Sequence, residues 1–194
     1  MVENYEKKII AGTTAVTLTA TIESLQVTGL YDLVIGPASE DVFVELPILF
    51  KVNGRIPCKS LLDRLILNHE NKTARIIDIK TTGSKVEEFV SGYTYSVDFD
   101  TGIPHKKAYG GDFLKYGYFL QEFFYKMAVS SFLAEHGYEN YTITFEFAVV
   151  ETAKPNFSKL IRVPAVWQAV AAQEYHQAMT VVAEWFELDS LLEF

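Results

Sequence analysis

SLLDRLILNHENKTARIIDIKTT, residues 60–82, is the stretch on which the fold turns. Two apolar runs flank a polar turn, NHENKT, and each run carries charge: Asp63–Arg64 in the first, Asp78 and Lys80 in the second. Short runs rich in Leu and Ile and bounded by turn residues read as strands. Just upstream, VFVELPILFKV (42–52) is another strand, closed by the strong turn signal Asn53-Gly54. Residues 42–80 therefore read as a three-stranded antiparallel meander.

Outward from the meander the pattern changes. The first 40 residues mix strand-favouring threonines with helical spacing, and a helix is expected in their first part. Residues 92–111, rich in Gly, Tyr and charge, read as an excursion or flexible loop. Asp112 is placed to cap a helix running to about Glu135 and ending at Gly137. YTITFEFAVVE (141–151) and SKLIRV (158–163) are a fourth and a fifth strand, and Pro164 suits the first residue of a last helix through about Leu188. The expected fold class is α/β (α+β), a central mixed sheet flanked by helices, in a single domain spanning 1–194.

Composition narrows the function. Hydrophobic residues make up 49% and charged residues 22%, a globular balance. No apolar run approaches the roughly 18 residues of a membrane helix, and MVENYEKKII lacks the features of a signal peptide. Cys58 is the sole cysteine, so no internal disulfide can form, and a cytoplasmic setting without membrane partners is expected. The net charge of -8 argues at first against nucleic acid, yet residues 51–115 hold eleven Lys/Arg against eight Asp/Glu. An acidic protein can carry one basic working face. P-loop, nucleophile-elbow, C-x-x-C and H-E-x-x-H patterns are all absent.

Strand parity picks out the candidates. Asp78 and Lys80 share a face with Ile76, and Ile77 and Ile79 take the other. Asp63 shares parity with Leu61, Leu65 and Leu67, and Glu45 with Phe43 and Leu49, so both acids are expected to point inward. Buried acids need a metal, a partner or water. Carboxylate oxygens suit a hard cation, Mg²⁺ or Mn²⁺, and a neighbouring lysine can orient water or offset phosphate charge. The alternative is surface ion pairing, at Asp63–Arg64 or at Asp78–Lys80.

An acid on one strand followed by Asp-x-Lys on the next resembles the PD-(D/E)XK nuclease superfamily. IIDIKTT, after GRIPCKSLLDRLI, is similar to the corresponding segments of RecE- and RecB-like exonucleases. YGYFLQEFFYKMAV resembles their Gln-x-x-x-Tyr helix, with Gln121 and Tyr125 in register. FAVVETAKPNFSKLIRV resembles the strand pair of the RecE-like, phage-associated branch, with its E-x-x-x-P segment.

The resemblance spans about residues 42–164 and implies a restriction-endonuclease-like core. It implies a Mg²⁺- or Mn²⁺-dependent DNA exonuclease that resects duplex ends for recombination. DNA is then the partner, with a single-strand annealing protein and a homo-oligomeric state as further expectations. Asp63, Asp78 and Glu45 would be metal ligands, with the carbonyl of Ile79, and Glu40 is the rival to Glu45. Lys80 would assist the attacking water, and Gln121 and Tyr125 would border the cleft. The early histidine ligand of such enzymes has no counterpart before His69, and His69, His105, His136 and His176 read as surface or structural. An endonuclease, a nuclease for branched or single-stranded DNA, and an inactive binding module stay open. So does stacking of unpaired bases on the tyrosines of 92–125.

Overall fold

The computed structural model describes residues 12–97 and 104–192. Its strands are β1 (Val42–Val52), β2 (Ile56–Asn68), β3 (Thr73–Thr82), β4 (Ser91–Val97), β5 (Pro104–Gly110), β6 (Thr142–Glu151) and β7 (Ser158–Ile161). Five of them form one sheet in the order β1-β2-β3-β6-β7. The first three are antiparallel, as the turn at Asn53-Gly54 and the polar link 69–72 dictate. β3 and β6 run parallel, and β7 returns antiparallel to β6, so the sheet is mixed. A parallel pair needs a long crossover, and here it holds α3 (Asp112–Lys115) and α4 (Tyr118–Glu135).

Helices cover both faces. α1 (Gly12–Val27) and α2 (Tyr31–Ile35) set Leu25 and Val34 against Ile77, Ala148 and Val150. α4 lies over the other face, in the main core with Leu65, Ile76, Phe145 and Phe147. α5 (Ala165–Leu192) packs against α4, where Tyr175 meets Phe123 with ring centroids 5.0 Å apart. Among the described residues no helix is long and apolar enough to cross a membrane.

Three expectations need correction. Residues 92–111 contain a separate two-stranded ribbon, β4 paired antiparallel with β5. Its tyrosine side chains and that of His105 lie outside the described residues. The helix expected from Asp112 is broken: Gly117, at φ +66°, separates α3 from α4. Asp112 is not the cap but the first residue of α3, after Gly111; a Cβ at Gly111 would lie 2.0 Å from the Glu88 carbonyl oxygen, so only glycine fits. Pro164 stands just before α5, its carbonyl accepting the Trp167 amide at 2.9 Å.

Parity itself also needs correction. Leu62 and Leu65 both belong to the main core, and Phe43 and Leu46 both pack on it, although each pair is three residues apart. Strict alternation cannot do this. The hairpin rolls over between them, at Glu45 and Asp63, which drop out of the ladder between the pairs Val44–Arg64 and Leu46–Leu62. Glu45 takes φ 51°, a left-handed conformation costly for a residue with a Cβ. Leu49 and Leu61, expected to share an inward face with the two acids, are exposed at 72% and 51%.

Candidate active site

The roll places Asp63 where β2 parts from β3. Their ladder ends at Arg64–Ile77. The next outward amide of β3, that of Ile79, donates to Asp63 Oδ2 at 2.7 Å. A side chain thus takes over where the neighbouring strand leaves an amide unpaired. Asp78 and Lys80 stand on β3 at this opening and face α4.

Asp78 is 1% exposed. Its Oδ1 accepts a hydrogen bond from Gln121 Nε2 at 2.9 Å, and its Oδ2 is in ion-pair contact with Lys80 Nζ. Burial pushes the Asp78 carboxyl up to about 6; Lys80 pulls it down, the Asp63 charge raises it, and the Gln121 hydrogen bond lowers it. Desolvation wins over an adjacent ammonium. The chain therefore keeps a carboxylate in a place that disfavours its charge, and such perturbed groups cluster at functional sites.

α4 supplies the opposite wall. Gln121 and Tyr125 are four residues apart and so share a helix face. Burial raises the Tyr125 phenol; the neighbouring Gln121 lowers it, and the charges of Asp78 and Asp63 add to the rise. Lys80 Nζ lies 4.8 Å from the centroid of the Tyr118 ring and 5.7 Å from that of Phe147, a cation–π cradle. Tyr118 carries no acid–base motif, and it stands three residues before Gln121 on α4. Phe147 was legible only through the parallel register that pairs it with Asp78.

The other buried acids are compensated. Glu146 accepts from Arg75 Nε at 2.6 Å and Arg162 Nε at 2.9 Å. Glu151 accepts the amides of Val86 and Phe157 at 2.9 and 3.1 Å, which gives the E-x-x-x-P segment a structural purpose at the β6–β7 turn. Glu122 accepts from Lys126 and Gln168 at 2.6 and 3.2 Å, although burial still raises its carboxyl.

None of the remaining candidates hydrogen-bonds or ion-pairs with Asp63, Asp78 or Lys80 among the described residues. Glu45 and Glu40 are exposed, so Glu45 does not point inward as parity implied. Among the described residues no group of three or more His, Cys, Asp or Glu gathers tightly enough to hold a metal ion. Arg64 is not a surface partner of Asp63. It is buried, and its Nη1 donates to the Gly36 carbonyl at 2.5 Å, anchoring the end of α2. His69 bridges Asp41, at 2.9 Å, and the Tyr141 hydroxyl. His136 hydrogen-bonds the Phe132 carbonyl at 2.8 Å, and His176 is exposed on α5. Cys58 is half-buried, and burial raises its thiol.

No family model and no curated protein matches the sequence. The fold, however, is similar to a crystal structure named "Putative exonuclease" from Eubacterium rectale, with a TM-score of 0.57 and 14% identity. The match covers 86% of this chain and 52% of that one, so the chain spans about half the length of its structural neighbour. At that identity the likeness is one of fold: a mixed sheet with flanking helices, shared with a protein of that name.

Proposed function

We propose that this chain is a metal-dependent deoxyribonuclease of the PD-(D/E)XK type, an exonuclease of the RecE-like branch acting on duplex DNA ends. The observation that carries the reading is Asp78, buried and pushed up to about 6, with Lys80 on one oxygen and Gln121 on the other. The donor set fits a hard divalent cation: the carboxylates of Asp63 and Asp78 and the carbonyl of Ile79 would hold Mg²⁺ or Mn²⁺. Such a cation supplies, when bound, a water of lowered pKa and stabilisation of charge on the phosphate.

The chain's own groups do the rest. Gln121 fixes the orientation of Asp78 through its hydrogen bond, and Tyr125 stands one turn further along the same face of α4. Asp63, through its bond to the Ile79 amide, sets the backbone whose carbonyl completes the donor set. Lys80, released from Asp78 and steadied by Tyr118, donates to the attacking water or to a phosphate oxygen.

Substrate topology tests the mode of action. Linear duplex with Mg²⁺ or Mn²⁺ is expected to be consumed from its ends while a covalently closed circle survives. Cutting of the circle would make the enzyme an endonuclease. One observation favours a second reading: no third acid joins Asp63 and Asp78 among the described residues. That fits a nuclease fold kept for binding, which would show as DNA binding without cleavage under either metal.

A further inference from the structure

A cleft of about 440 Å³ opens between α4 and α5, lined by Leu120, Gln121, Phe124, Tyr125 and, from α5, Glu174, Tyr175 and Ala178. Gln121 hydrogen-bonds Asp78 and Tyr125 follows it on the same helix face, so the cleft and the candidate active site share these two side chains. Its volume lies within the range of small-ligand sites. Leu120, Phe124 and the ring of Tyr125 make the lining largely apolar. Tyr175 adds to this, because its hydroxyl is wholly buried and what it offers the cleft is apolar.

The charges select among the parts of a DNA strand. Among the described residues the lining has one carboxylate, Glu174, and no Lys or Arg, so a phosphate would be repelled. Lys80, by contrast, stands on the Asp78 side of these residues. A strand whose backbone passes Lys80 would have only its uncharged, flat parts to place between α4 and α5. Aromatic walls stack bases of any identity, and the Glu174 carboxylate can accept from the amino groups on a base edge.

Resting on the nuclease reading, we propose that this cleft receives the unstacked base of a nucleotide flanking the bond to be cut. The base leaves its helix, lies among Phe124, Tyr125 and Tyr175, and so sets the adjoining phosphate over Asp78 and Lys80. Tyr125 then has two sides to serve: it stands beside Gln121 toward the active site and walls the base on the other.

The test uses the full chain and short duplex oligonucleotides, intact or with one abasic position scanned inward from an end. Binding is measured by fluorescence anisotropy with Ca²⁺ present. Ala178→Trp is the informative variant, because Ala178 is exposed on α5 and a large ring there fills the cleft without entering the core. At one abasic position affinity is expected to fall about tenfold for the native chain. Ala178→Trp should bind intact DNA at that weaker level and lose the distinction. Equal affinity for intact and abasic duplexes at every position overturns the proposal, as does a distinction that survives in Ala178→Trp. Cleavage with Mg²⁺ is scored separately. Base-dependent binding without cleavage would refute the nuclease reading and keep the cleft, and cleavage without base dependence would do the reverse.

Discussion

Asp78→Asn should stabilise the metal-free protein. A carboxyl that ionises near 3.8 in the unfolded chain and at about 6 in the folded one binds more protons when folded. Between those values folding is therefore opposed progressively as pH rises, and above about 6 the full penalty is present. Its size is about 3 kcal/mol at neutral pH, at 1.36 kcal/mol per pH unit of displacement. The value of about 6 already contains the attraction of Lys80, so the neutral isostere removes the whole penalty. For a chain of 194 residues that is a rise in Tm of about 6–12 °C.

The assay is thermal and urea unfolding in EDTA, native against Asp78→Asn, from pH 4 to 8. The gain should be near zero at pH 4, grow through pH 5 and level off above about pH 6. Mn²⁺ should then raise the Tm of the native chain and leave the variant unmoved, since only a state that binds ligand is stabilised. A variant less stable than the native chain at pH 7, or a gain independent of pH, would refute the burial argument.

Other perturbations separate site from scaffold. Lys80→Ala leaves Asp78 buried beside a lost ammonium, and should destabilise the metal-free protein by about 1–3 kcal/mol while abolishing cleavage; a double variant with Asp78→Asn should recover most of that stability in the same melts. Arg64→Leu strips the buried Gly36 carbonyl of its side-chain donor and should cost about 2–4 kcal/mol in urea titrations. Glu151→Gln offers an amino group to one of two backbone donors and should cost about 1–3 kcal/mol, with metal-dependent activity of the folded fraction retained. Glu45→Gly relieves a left-handed φ and should stabilise by about 1 kcal/mol, with cleavage lowered less than tenfold because Glu45 faces solvent.

Most of the scaffold could be read from local pattern. The meander followed from apolar runs and the Asn53-Gly54 turn, and the pairing of Gln121 with Tyr125 on one face followed from their spacing. What escaped is non-local. The roll of the β1–β2 hairpin is invisible to a parity rule that assumes unbroken alternation, so Glu45 and Asp63 were given one inward face when only Asp63 reaches a buried partner. Arg64 looked like half of a surface pair because its true partners are carbonyls about thirty residues earlier. Asp78 and Lys80 were legible because an acid and a base two apart on an apolar strand must share a side. Tyr118 and Phe147 around Lys80 needed the crossover helix and the parallel register.

The central claim is that Asp78 and Lys80 form the core of a phosphodiester-cleaving centre. It is tested most directly by release of acid-soluble nucleotides from linear duplex DNA across a Mg²⁺ and Mn²⁺ titration, for the native chain, Asp78→Asn and Lys80→Ala. The account predicts metal-dependent release by the native chain and a loss of at least about a hundredfold in both variants, although Asp78→Asn is the more stable protein. Release by Asp78→Asn at the native rate would contradict it.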